Sequence, residues 1–179
     1  SRLAIANLEK ANEPNFCGFI NNQNSFELPT DTELVIISSP ILETAARTLA
    51  SYKTAQRKIV SKNITTQAIY HDFSGGKQDV TALRNFIRYQ FQKPGSQLKY
   101  VILLGDASID YKGQNVVSTA LEKSCFVPTY QSEESMHPLL SYASDDYYGI
   151  LSATAGTWKE NAPLQVAIGR IPAKSPQEA

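Results

Sequence analysis

No apolar stretch in this sequence approaches the roughly 20 residues that a membrane-spanning helix needs. The longest are Leu34-Val35-Ile36-Ile37 and Tyr100-Val101-Ile102-Leu103-Leu104, so no membrane span is expected in the segment. A run of like charge is also missing. Seventeen basic side chains balance seventeen acidic ones, which leaves no electrostatic footprint for nucleic-acid phosphates and speaks against a nucleic-acid partner. Cysteine is scarce: Cys17 and Cys125 match no metal or redox spacing and make no disulfide framework, with a single bridge as the open alternative. Histidine is equally sparse, with only His71 and His137. Ser1 opens the chain without a basic region and apolar signal core, so the compartment must be read from something else.

What is present suits one α/β domain. At 179 residues and 42% hydrophobic, the chain has enough apolar surface to bury a core. Leu34-Val35-Ile36-Ile37 is a β-branched run of the kind buried on both faces of a parallel sheet. After Ser39-Pro40, Ile41, Ala45, Leu49 and Tyr52 recur near helical spacing, with Glu43, Arg47 and Lys53 left for solvent. Residues 58–64 are more polar and read as an edge-ward strand, followed by a short helix through Ala68, Ile69 and Phe73 that Gly75-Gly76 ends. Asp79 caps a second long helix with Val80, Leu83, Ile87 and Gln90 or Phe91 inward and Arg84 and Arg88 outward. Lys93-Pro94-Gly95 stops it. Tyr100-Val101-Ile102-Leu103-Leu104 is the natural central strand; residues 147–151 and then 164–170 complete the strand pattern. Crossovers of this length predict a parallel, right-handed sheet with helices on both faces, a caspase-like or flavodoxin-like three-layer sandwich. Residues 1–33 read as a linker or the tail of a preceding domain, and 34–179 as the α/β unit. At the far end, Ser175-Pro176-Gln177-Glu178 has the form of a capping box, with Pro at the first helical position, and announces a helix that continues past Ala179.

In open parallel sheets ligands sit beyond the carboxyl ends of the strands, which favours Gly105-Asp106 and Asp110. With Asp145 and Asp146 these carboxylates are candidate oxygen ligands for a hard cation such as calcium. The alternative is that Asp106 caps a turn and that Asp145-Asp146 are solvated. A nucleophile needs a base within hydrogen-bond reach and donors aimed at the oxyanion. Cys125 with His137 is the least poor pairing, but neither cysteine ends an apolar strand that a helix follows. Ser74-Gly75-Gly76-Lys77 fits neither phosphate-binding fingerprint and reads as a helix-ending turn. Trp158 is either an exposed contact or a hairpin-packing residue.

Several segments in order resemble one family. Ile69-Tyr70-His71-Asp72-Phe73-Ser74-Gly75-Gly76 with Gln78-Asp79-Val80-Thr81-Ala82-Leu83-Arg84-Asn85-Phe86, and then Tyr100-Val101-Ile102-Leu103-Leu104-Gly105-Asp106-Ala107-Ser108-Ile109-Asp110, are similar to the first part of the gingipain-like cysteine peptidase region. Val127-Pro128-Thr129-Tyr130-Gln131-Ser132, Ser144-Asp145-Asp146-Tyr147-Tyr148-Gly149 and Ile168-Gly169-Arg170-Ile171-Pro172 continue the likeness, and the Pro128 segment resembles the sortase branch of the type IX secretion system. The resemblance covers roughly residues 34–179. It implies a two-subdomain, caspase-like peptidase in which this chain is the first, non-catalytic subdomain, with the catalytic His and Cys in a second subdomain downstream. It also implies structural calcium near Asp106 and Asp110, with Asp145 and Asp146 behind. The implied location is the outer membrane or cell surface of a Gram-negative bacterium, as a secreted protein. The implied partners are the chain's own catalytic subdomain, protein substrates whose carboxyl-terminal secretion signals are removed before attachment to surface lipopolysaccharide, and other type IX secretion components. Two rivals stay open: an independent flavodoxin-like or receiver-like module using the Asp106 loop for a metal or small anion, and a complete hydrolase built on Cys125 and His137.

Overall fold

A computed structural model describes residues 18–19, 21, 24, 27–108, 110–112, 119–132, 137–152 and 162–179. Cys17, Trp158 and the amphipathic pattern of Leu3, Ile5 and Leu8 lie outside the described residues, so the bridge to Cys17 and the role of Trp158 do too.

Four parallel strands form the sheet: β1 (Leu34–Ser38), β2 (Ser61–Thr65), β3 (Tyr100–Leu104) and β6 (Ala167–Ile171), in the order β2-β1-β3-β6. The register is simple, with Leu34 beside Ser61 and Tyr100, and Tyr100 beside Ala167. All of β1 is buried, as expected of a β-branched run at the centre of a parallel sheet. The polar β2 takes an edge, where Lys62 points to solvent. A two-stranded antiparallel ribbon, β4 (Tyr130–Gln131) with β5 (Ala143–Ser144), stands apart from the main sheet.

Helices cover both faces, giving the three layers predicted. α1 (Glu43–Arg57), entered through a 3-10 turn at Pro40–Leu42, packs on β1 and β2. Its stripe is partly the expected one: Ala45 and Leu49 pack half-buried on the core, but the fully buried positions are Leu42, Ala46 and Ala50, while Ile41 and Tyr52 are 41% and 48% exposed. Small alanines let the helix lie close to Leu34 and Ile36. On the opposite face sit α2 (Thr66–Ser74) and α3 (Val80–Gln92). Thr65 and Asp79 cap them by accepting from the amides of Ala68 and Thr81. Gly75, at a φ of 61°, closes α2, so Ser74-Gly75-Gly76-Lys77 is the helix-ending turn its composition suggested.

This second face holds the larger core, in which Val35, Ile37, Val101 and Leu103 meet Ile69, Leu83, Phe86 and Ile87. Burying each such side chain contributes about 1.5–3 kcal/mol, so this layer carries most of the fold's stability. Arg84, expected on the wet side of α3, is instead 8% exposed. It is buried because it has partners, described below. Residues 147–151 form no strand; Asp145–Tyr148 is a 3-10 turn.

Residues just before Leu34 also pack against the sheet unit. The Thr32 side chain is buried, Gln97 donates from its amide to the Thr30 carbonyl and Lys93 from its amine to that of Leu28. At the other end Ser175–Glu178 makes a single turn. Glu178 does reach back, but to the amide of Lys174 at 2.8 Å, one residue earlier than a capping box centred on Ser175 requires.

Candidate functional site

The carboxyl ends of β3 and β6 are roofed by a crown of loops, and one side chain ties it together. Arg170 extends from β6 into the space between them. Its Nη1 donates to the carbonyls of Gly105 at 2.9 Å and Val127 at 2.8 Å, and Nη2 reaches that of Pro128 at 3.4 Å. Nε and Nη2 grip Asp145 Oδ2 and Oδ1 at 2.7 and 2.8 Å, a fork-to-fork pair that only an arginine can make. The β3 turn, the residues before β4 and the 3-10 turn after β5 therefore share one anchor.

A second arginine holds the crown from the helix side. Arg84 Nε donates to the Ile150 carbonyl at 2.8 Å, and its guanidinium lies 5.1 Å from the Tyr147 ring centre. Tyr147 in turn stacks on Tyr130 at 4.6 Å. Tyr148 is fully buried beneath, and its hydroxyl donates to the Pro128 carbonyl. Burial pushes the Tyr148 phenol well above its ordinary pKa, so it stays a neutral donor.

Gly105 is what lets the loops close. At a φ of 145° it sits where side chains are strained, and a Cβ there would lie 2.3 Å from the Cys125 carbonyl oxygen and 2.9 Å from Val127 Cγ2. The bond from the Val127 amide to the Asp106 carbonyl, 2.9 Å, depends on that approach.

The four carboxylates expected to bind a cation are spread across this crown. Asp106 accepts from the amide of Ala107 at 2.9 Å, closing a local turn, with Lys174 4.0 Å from its other oxygen. Asp110 follows a turn in which its amide donates to Ser108 Oγ. Asp145 has both oxygens on Arg170, and Asp146 is the second residue of the 3-10 turn, its amide donating to Ser144 Oγ. Among the described residues no three His, Cys, Asp or Glu side chains gather as a metal site would require. As arranged, these donors do not fit a calcium ion, which would have to draw Asp145 away from Arg170.

Nor is a nucleophile assembled among the described residues. Cys125 is a free thiol with no exposure, packed with Leu42, Ala46, Leu104 and Ala173, and burial pushes its pKa up, away from the thiolate that attacks. The exposed His137 accepts from the amides of Leu139 and Leu140 at Nδ1. His71 is on α2, across the sheet from Cys125. The pairing of Cys125 with His137 therefore has no geometric support. Sequence reasoning missed Arg170 and Arg84 as the organising residues; the one signal was a charged residue inside an otherwise apolar strand.

A parallel four-stranded sheet with helices on both faces, its loops tied by Arg170 and Arg84, is the caspase-like fold of the gingipain-type peptidases. The chain belongs to peptidase family C25, whose sequence model matches residues 27–179, and it is a gingipain-like cysteine peptidase region. It is similar to the crystal structure of dimeric latent PorU from Porphyromonas gingivalis, with 25% identity and a TM-score of 0.70 over 97% of this chain and 17% of that one. Two further structures share the fold. The Arg-specific cysteine proteinase gingipain R matches at 19% identity and a TM-score of 0.54, over 86% of this chain and 27% of that one. The complex of Porphyromonas gingivalis RgpB pro- and mature domains matches at 18% and 0.51, over 82% and 26%. No curated protein sequence matches the chain. The chain thus spans about a sixth of the PorU chain it resembles and about a quarter of the gingipain chains. No described helix is long and apolar enough to cross a membrane.

Proposed function

We propose that this chain is the first, non-catalytic α/β subdomain of a C25 cysteine peptidase. In this reading it is a rigid layer that buttresses a catalytic subdomain downstream and helps wall its substrate cleft. The observation that carries this is the state of Cys125: sealed in the core, raised in pKa and without a histidine partner. The crown supplies what a cleft wall needs, loops fixed on rigid elements, and next to it Leu139, Leu140 and Tyr142 are 86%, 55% and 41% exposed for contact with a neighbour.

The similarity to PorU at 25% identity, with the Pro128-Thr129-Tyr130-Gln131-Ser132 segment, supports the sortase branch. The whole protein would then be secreted to the cell surface, remove carboxyl-terminal secretion signals from cargo and join the cargo to lipopolysaccharide, together with other type IX secretion components. The test is substitution in the longer polypeptide. Cys125→Ala and His137→Ala, confirmed as folded, leave cargo processing within about twofold of the parent. A loss of a hundredfold or more in either would place the chemistry here and end the proposal.

A further inference from the structure

The sheet ends at β2, which pairs with β1 on one side, and among the described residues no strand lies on the other. The Leu34 amide donates to the Val60 carbonyl, and the alternation of a parallel ladder then turns Lys62 and Ile64 toward β1 and Ser61, Asn63 and Thr65 outward. The first outward donor, the Ser61 amide, is taken by Thr54 Oγ1 of α1 at 2.9 Å. The Ser61 carbonyl, both backbone groups of Asn63 and the Thr65 amide meet no partner among the described residues. Beside them, between α1 and this edge, runs a groove of about 380 Å³ whose helix wall is made of the small side chains Ala50, Ser51, Thr54 and Ala55.

Charge of one sign surrounds this edge. From residue 44 to residue 71 the sequence holds Arg47, Lys53, Arg57, Lys58 and Lys62 and neither Asp nor Glu, in a chain whose net charge is zero. Arg47 is paired with Glu43 at 2.6 Å, and Lys53 lies on the opposite flank of α1 beside Leu34 and Tyr100. That leaves Arg57, Lys58 and Lys62, all exposed, gathered where α1 turns into β2. Glu33, whose amide also donates to the Val60 carbonyl, gives its carboxylate to Lys99 at 3.4 Å. We propose that the β2 edge takes an extended, acidic peptide segment as a fifth strand, hydrogen-bonded to Ser61, Asn63 and Thr65, with carboxylates toward Arg57, Lys58 and Lys62. An open edge is a template for any extended chain, and a lysine there keeps like edges apart. Two copies meeting edge to edge would set these cations against each other, so the charge that repels a second copy selects an acidic partner. β2 is five residues long, which sets the length of the pairing, and alternate partner side chains enter the groove beside Ala50 and Ser51.

This partner goes beyond the supporting role proposed above and does not depend on where catalysis resides. The probe is the fluorescein-labelled peptide Glu-Thr-Val-Thr-Val-Glu, added to residues 1–179 and followed by anisotropy. Saturable binding with a Kd below about 1 mM is expected. It weakens by about tenfold or more when Lys replaces both Glu, and by as much when the peptide amides are N-methylated, which removes main-chain donors and keeps the charge. Lys58→Glu with Lys62→Glu weakens it to a similar degree. Asn63→Pro abolishes it with the Tm kept within about 2 °C, because a proline whose nitrogen faces away from β1 spares the ladder. Should Asn63→Pro fail to fold, the methylated peptide decides. A methylated peptide that binds as tightly as the parent overturns the inference by reducing the contact to charge alone, and so does a parent peptide that shows no binding at about 1 mM. Self-association of residues 1–179 that Asn63→Pro abolishes makes a second copy the occupant, and binding that appears only after residues 1–26 are removed makes that segment the occupant. Either result overturns the proposal.

Discussion

The sheet body and the crown above it are built on different principles. In the body, Val35, Ile37, Leu83, Phe86 and Leu103 are buried to within 1% and held by non-directional packing. The crown leans on a few directed bonds, most of them from Arg170 and Arg84, to carbonyls and one carboxylate. Packing tolerates exchange among residues of similar volume, whereas a fork of donors aimed at Gly105, Val127 and Asp145 tolerates none.

The largest effect that separates the two comes from Phe86→Ala. Removing a ring of zero exposure between α3 and the sheet costs about 3–5 kcal/mol and lowers the stability of every amide together in hydrogen exchange. Gly105→Ala follows, at roughly 3 kcal/mol, because the new Cβ meets the Cys125 carbonyl at a strained φ. Denaturant unfolding measures both.

Arg170→Ala is expected to cost about 2–4 kcal/mol, since it takes the side-chain donor from the Gly105 and Val127 carbonyls and strands the partly buried Asp145. Its signature is local. Exchange at the Val127 amide quickens, while amides of β1 and β3 keep their rates. Arg170→Lys recovers less than half, because an ammonium cannot replace the fork. If both regions loosened equally in Arg170→Ala, the division between body and crown would be wrong.

The smallest effect is with pH. Burial raises the pKa of Tyr70 and of Tyr148 above the ordinary value of 10.0. The folded state keeps protons that the unfolded chain releases, so these phenols contribute full stability below about pH 10 and progressively less as pH rises past it. Urea midpoints between pH 8 and 11 should fall, with a shallower slope in Tyr70→Phe.

Much of the body was legible in sequence. Leu34-Val35-Ile36-Ile37 and Tyr100-Val101-Ile102-Leu103-Leu104 became β1 and β3, the polar β2 took the edge, and Asp79 and Gly75 punctuated the helices as their chemistry requires. Local periodicity carries that information. The stripe of α1 was half legible: Ala45 and Leu49 pack on the core as their spacing suggested, but the deepest contacts fall to Ala46 and Ala50, whose small side chains give little apolar signal. The crown was largely illegible. Arg170 bonds to residues 25 to 65 positions away, and its partners are mostly backbone carbonyls, which leave no trace in composition. Asp145, expected as a metal ligand or a solvated loop residue, has its purpose in that arginine.

The most direct measurement is peptide hydrolysis by purified residues 1–179, assayed with and without prior alkylation of thiols. The account predicts no turnover above the buffer rate in either sample, with Cys125 reacting only after unfolding. Turnover that alkylation abolishes would contradict it.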